Sequence, residues 1–170
     1  MKKTAIHKAG SVLLFLAASV IVSCSGNNTG SSVEKSGNAS ISDPNEDLIG
    51  AYIALKNDLV ESNLADAKNS AGELLSASER AGLSAESLAL LREMSNAGDL
   101  NEIRDAFDPL SQQVYTWAKT SDHGDQTLYW QYCPMALDNR GANWLSLEEE
   151  ILNPYFGDQM LRCGNIEEEL

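Results

Sequence analysis

Residues 43–60, DPNEDLIGAYIALKNDLV, decide how the chain folds. Asp43 is placed to cap a helix, Pro44 suits its first position, and Glu46 stands three residues after Asp43, as a capping box requires. Leu48, Tyr52, Leu55 and Leu59 follow at spacings of four, three and four, forming one apolar stripe on one helical face. Such a helix needs partners to cover the stripe.

Three further segments supply them. A second helix starts after Ser62 or Asn63, buries Leu64, Ala67, Ala71, Leu74 and Ser78, and stops at Gly82. Its small residues favour close approach of a neighbour. Ser84 caps a shorter third helix carrying Leu88, Leu91 and Met94, stopped by Gly98. Asp99 and Glu102 form another capping box, followed by Ile103, Phe107, Leu110, Val114 and Trp117. Pro109 falls inside this fourth segment and is expected to kink or restart it. Four amphipathic segments with short connections predict an antiparallel helical bundle.

After Lys119 the pattern changes. Tyr129, Trp130, Tyr132, Pro134, Gly141, Trp144, Pro154, Tyr155, Phe156, Gly157 and Gly164 crowd into the last third of the chain. Residues 128–132 favour a strand, and residues 160–163 are expected to return beside it. Ser146 is expected to cap one helical turn through Glu148, Glu149 and Glu150. The predicted class is mainly α (α+β): about four helices and a small C-terminal β-hairpin and loop lobe.

That lobe holds mirrored sulfur pairs, QYCPMA (131–136) and MLRCG (160–164). If residues 132–135 are extended, Cys133 and Met135 share a face. Met160 and Cys163, three apart, are brought to one side by a turn. Folding the pairs together gives two thiolates and two thioethers, a soft set that selects copper(I) or silver(I). Methionine is a poor zinc ligand, so the pattern points away from structural zinc. An aromatic side chain such as Trp130 or Trp144 can shield copper(I) through a cation–π contact. A second reading stands beside this one: two cysteines in an exported domain form a disulfide, and Met135 and Met160 fill the core. The two states can also alternate, with the thiols oxidised when metal-free.

Catalytic signals are missing. No Ser-His-Asp or Cys-His arrangement is visible, and a cysteine without a base is not a nucleophile. His123, followed by Gly124, reads as a loop residue able to lend a nitrogen to a metal. Glu148–150 and Glu167–169 read as solvated charge runs. The expectation is a protein that is not an enzyme.

The N-terminus addresses the chain. Lys2, Lys3 and Lys8 precede an apolar run over residues 12–22 that is too short to span a membrane, which takes about 20 apolar residues. This is the pattern of a secretory signal peptide. Its end, Ile21-Val22-Ser23-Cys24, resembles a bacterial lipobox, which implies cleavage before Cys24 and lipidation of that residue. Attached acyl chains anchor firmly, at about 0.8 kcal/mol for each buried methylene. The expected organisation is a signal peptide (1–23), a lipidated Ser/Gly/Asn-rich tether (24–42) and one domain (43–170). The expected location is a bacterial membrane surface facing the periplasm or the outer membrane. The formal net charge is −13, and loss of the leader lysines makes the chain more acidic still. Nucleic acid and anionic membrane surfaces are poor partners for it.

The words AYIALKNDLV (51–60), YCPMA (132–136), GANWLS (141–146) and NPYFGDQMLRCG (153–164) resemble domain of unknown function 3347. The resemblance spans roughly residues 47–168. That family occurs in exported bacterial lipoproteins and as an appended domain on periplasmic adaptor subunits of copper and silver efflux pumps. It implies heavy-metal handling, with Cys133, Met135, Met160 and Cys163 as the ligands. Without an adaptor body the chain would bind, buffer or hand over metal to an efflux adaptor or another copper carrier.

Overall fold

The structure is a computed structural model and describes residues 43–170. The expected signal peptide, the tether and Cys24 lie outside the described residues. The fold begins with α1 (Pro44–Val60), α2 (Leu64–Ala81), α3 (Ala85–Asn96) and α4 (Leu100–Ala118). Three strands follow, β1 (Tyr129–Cys133), β2 (Ala142–Ser146) and β3 (Asn165–Glu169), in one antiparallel sheet of order β2-β1-β3. The helical bundle with a small β lobe is therefore the architecture. Among the described residues no helix is long and apolar enough to cross a membrane.

Each of these four helices starts at a side-chain cap. Asp43, Asn63, Ser84 and Asp99 accept from Asn45 N, Asp66 N, Ser87 N and the pair Asn101 N and Glu102 N, respectively. These bonds satisfy amides that have no partner within the helix. Gly82 closes α2 at φ 73°, a left-handed position that suits glycine. The apolar stripes meet in one core: Leu48, Tyr52, Leu55 and Leu59 of α1, Ala67, Ala71 and Leu74 of α2, Leu91 and Met94 of α3, and Ile103, Phe107, Leu110 and Val114 of α4. The core continues into the lobe through Leu128, Trp130, Cys133, Trp144 and Leu145.

Three expectations need correction in whole or in part. Pro109 does not restart α4, which runs unbroken through it. The carbonyl it leaves unpaired belongs to the exposed Asp105, where water can satisfy it. Residues 160–163 are not the return strand. β1 pairs instead with β2 (Trp130 opposite Leu145) and with β3 (Trp130 opposite Glu168). The 153–163 segment is a closed loop, held by Asn153 N to the Leu161 carbonyl at 2.9 Å and Asn153 Nδ2 to the Cys163 carbonyl at 2.8 Å. Nor does Ser146 start a helix. Its hydroxyl accepts from Glu148 N at 3.2 Å, and the segment after it is held against β1 by the buried Gln131 Nε2, which donates to the Glu148 carbonyl at 2.8 Å.

Lys56 ties α1 to the lobe. Fully buried, it donates to Glu148 Oε2 at 3.3 Å and to Ser146 Oγ at 3.5 Å. Burial pushes the Lys56 ammonium below its usual range, with Glu148 opposing. Burial also works against the Glu148 charge, but the Ser146 hydroxyl and Lys56 outweigh it and hold this carboxyl low. A carboxyl depressed by folding stabilises the protein above its unfolded pKa, and that contribution is lost as pH falls through the folded value. Glu148→Gln should therefore cost about 1 kcal/mol at pH 7, because solvent screens the half-exposed carboxylate, and converge with wild type in acid, below the carboxylate range. Lys56→Met, which removes the buried charge rather than stranding it, should cost less. Urea melts at both pH values check this ordering.

Candidate functional site

The site forms where β1 ends. Cys133 is the last residue of β1, opposite Ala142 of β2, and is fully buried. Pro134 then brings the chain to the surface, leaving the Met135 side chain 46% exposed. Beyond Met135 the backbone reverses through Ala136–Asn139, where Leu137, Asp138 and Asn139 all take positive φ.

The second sulfur segment arrives through the loop that Asn153 closes. Cys163 N donates to the Met160 carbonyl at 3.0 Å, making residues 160–163 a tight turn. Gly164 follows at φ 149°, and a Cβ there would stand 2.9 Å from the Tyr132 carbonyl oxygen and 3.0 Å from Trp144 Cη2. Only glycine lets the chain lie this close against β1. That approach carries Cys163 to Cys133.

Both cysteines are free thiols. The Cys163 thiol lies beside the Cys133 thiol and the Met135 amide. Burial first, and then the neighbouring Cys133, push the Cys163 thiol up to about 11, with the Met135 amide opposing. The structure thus brings together Cys133, Cys163 and the backbone of Met135, with the Met135 side chain at the surface beside them. Met160 is half-buried and is joined to Cys163 through the backbone. Trp144 is fully buried, packs edge-on to Tyr155 with ring centroids 6.0 Å apart, and has no partner for Nε1 among the described residues. His123 lies in the loop before β1, half-buried, and its Nδ1 likewise has no partner among them. Among the described residues no three His, Cys, Asp or Glu side chains cluster as a metal site. A set with more than two ligands would therefore have to draw on the methionines.

Sequence reasoning missed Asn153 and Gly164, the two residues that place Cys163. Both stand in the quoted word NPYFGDQMLRCG and its neighbourhood, but a buried asparagine and a close-approach glycine leave no periodic signal. The glutamate runs also do more than face water. Glu150 pairs with Arg162, and Glu168 takes Lys119 at 2.7 Å and the Tyr115 hydroxyl.

A helical bundle that seats a small antiparallel sheet, with a thiol pair at the sheet's end, is the class of protein these observations define. Residues 48–126 match the family model described as "Protein of unknown function (DUF3347)". The resemblance read from the sequence holds over that stretch, which takes in nearly all of the bundle and ends before Cys133. No curated protein and no solved structure matches the chain.

A thiol held near 11 is almost wholly protonated at pH 7, with roughly one part in ten thousand as thiolate. Alkylation of Cys163 by iodoacetamide should therefore be slow at neutral pH and rise about tenfold per pH unit towards 11. Buried Cys133 should react only on unfolding. Peptide mapping after timed labelling distinguishes the sites.

Proposed function

We propose that this is a lipid-anchored, exported protein that binds a soft monovalent metal ion, copper(I) or silver(I), and buffers or delivers it in metal efflux or resistance. The observation that carries this reading is the contact between the Cys133 and Cys163 thiols beneath a surface methionine. Two sulfurs at one point are the minimal soft donor set, and Met135, with Met160 on the facing turn, supplies further sulfur. Binding displaces the thiol protons, and the ion is cargo that reaches the pair from the Met135 side. A metal efflux adaptor or another copper carrier is the partner class, and nucleic acid is not one. No catalytic role is assigned.

The same thiol contact also favours a second reading, a structural or interaction lipoprotein closed by a Cys133–Cys163 disulfide. A competition titration of reduced protein against a copper(I) chelator, run beside melting curves on four variants, separates the two. On the metal reading one copper(I) binds per chain, Cys133→Ser and Cys163→Ser abolish tight binding, and Met135→Leu and Met160→Leu weaken it without unfolding the lobe. On the disulfide reading the cysteine variants lose about 2–5 kcal/mol of stability and the methionine variants are silent. Absence of copper(I) uptake by the reduced wild type rejects the metal reading.

Anchoring is tested separately. Cys24→Ser should release the protein from membranes with its melting curve unchanged, because the tether separates the lipid from the fold. Retention on salt-washed membranes would reject the lipobox reading.

A further inference from the structure

A cavity of about 380 Å³ opens between the first half of α4 and the lobe, within the size range of small-molecule sites, which begin at ~300 Å³. Tyr155, Arg104 and Phe156, buried or half-buried, form its inner wall, and the exposed Asn101, Asp138 and Gln159 form its rim.

Arg104 is unusual among the cations of this acidic chain. Its Nε donates to the Pro154 carbonyl at 2.9 Å, and its Nη2 donates to the Leu59 carbonyl at 3.1 Å and Ser62 Oγ at 3.0 Å. All three acceptors are neutral. Lys56, Arg80, Arg92, Lys119, Arg140 and Arg162 each have a carboxylate partner, whereas Arg104, like Lys68 on the Ala97 carbonyl, has none among the described residues. Three bonds therefore fix the guanidinium, and its Nη1 remains without a protein partner among those residues. Burial opposes this charge, so an incoming anion would relieve a standing cost.

The opposite charge in the same lining is Asp138. It is the middle of three successive non-glycine residues in left-handed backbone, with φ of 49°, 58° and 63° at Leu137, Asp138 and Asn139. Such backbone persists only where the surroundings enforce it. Here Arg140 enforces the turn by donating from Nε to the Leu137 carbonyl at 3.0 Å and from Nη2 to Asp105 Oδ1 at 3.2 Å. Asp105 is thereby paired with Arg140, while Asp138 has no hydrogen-bond or ion-pair partner among the described residues. One cavity thus presents an anchored cation, an unpaired carboxylate and apolar walls from Leu137 and Phe156.

We propose that this cavity binds a free α-amino acid. Its carboxylate meets Arg104 Nη1 and the Asn101 amide, its ammonium meets Asp138, and its side chain lies along Leu137 and Phe156. A charge-assisted bond at each end selects for a ligand carrying both charges over one carrying either alone. The site uses none of the sulfur ligands and stands whether or not the metal reading does.

Calorimetric titration of the full chain with L-alanine, L-leucine and L-glutamine tests it, with propionate, propylamine and inorganic phosphate as single-charge probes. At least one amino acid should bind tenfold or more tighter than every single-charge probe. Asp138→Asn, at an exposed position, should keep the wild-type melting curve and reduce that amino acid to the affinity of propionate. Arg104→Lys loses its bonds to the 59–62 turn and can lower stability, so the Asp138 variant carries the decision. No amino-acid binding, equal binding of propionate or phosphate, or unchanged affinity in Asp138→Asn would overturn the proposal.

Discussion

The Tyr52 hydroxyl is the bolt on which the arrangement of bundle and lobe depends. It lies in α1, fully buried, 2.6 Å from Ser111 Oγ of α4, and accepts the Leu145 amide of β2 at 3.2 Å. β2 is an edge strand, so amides on its outer side have no sheet partner. The neighbouring edge groups are taken in the same manner. Asn143 N donates to Asp108 Oδ1 at 3.3 Å, and the Tyr155 hydroxyl donates to the Asn143 carbonyl at 2.6 Å. A buried amide without an acceptor costs about 1–3 kcal/mol, so the strand edge and the helix surface hold each other in place. Burial raises both tyrosine hydroxyls well above their usual range, which keeps them neutral donors and acceptors.

Once β2 is fixed, the rest of the lobe follows from close approach. β1 lies between β2 and β3, and its Tyr132 is flanked by two glycines. A Cβ on Gly141 would stand 2.2 Å from the Tyr132 hydroxyl oxygen, and one on Gly164 would stand 2.9 Å from its carbonyl oxygen. The chain can leave β1, reverse, and later return against it only because both positions lack side chains. Asn153, Gly141 and Gly164 bring the two sulfur segments together through hydrogen bonds and close backbone approach.

What could be read from the sequence was local or periodic. The caps at Asp43, Asn63, Ser84 and Asp99 and the stop at Gly82 need only neighbouring residues, and the stripes need only regular spacing. β3 was hidden because NIEEE has little strand propensity. It forms because β1 offers an open edge, and its Glu168 ties back to Lys119 and Tyr115 on α4. Residues 160–163 looked like a strand by composition, yet one distant residue, Asn153, holds the loop they close through its backbone amide and its side chain. The cysteine pair was legible as a pair. The asymmetry between them, with Cys133 sealed in the core and Cys163 near the surface with the Met135 amide, comes from tertiary packing alone.

The family match ends at residue 126, but the matched helices are shaped around what comes after it. Tyr52, Asp108 and Ser111 all fall within the match, and each contributes to the buried polar contact with β2. Lys56, also within it, reaches Ser146 and Glu148 beyond the end of β2. A free-standing bundle would gain nothing by placing an ammonium and a tyrosine hydroxyl on the inner faces of its helices. Their partners lie in the lobe, and leaving such groups unpaired in a core is costly. The polar side chains buried in the bundle therefore specify the docking of the lobe, and the lobe in turn sets the two sulfur segments side by side.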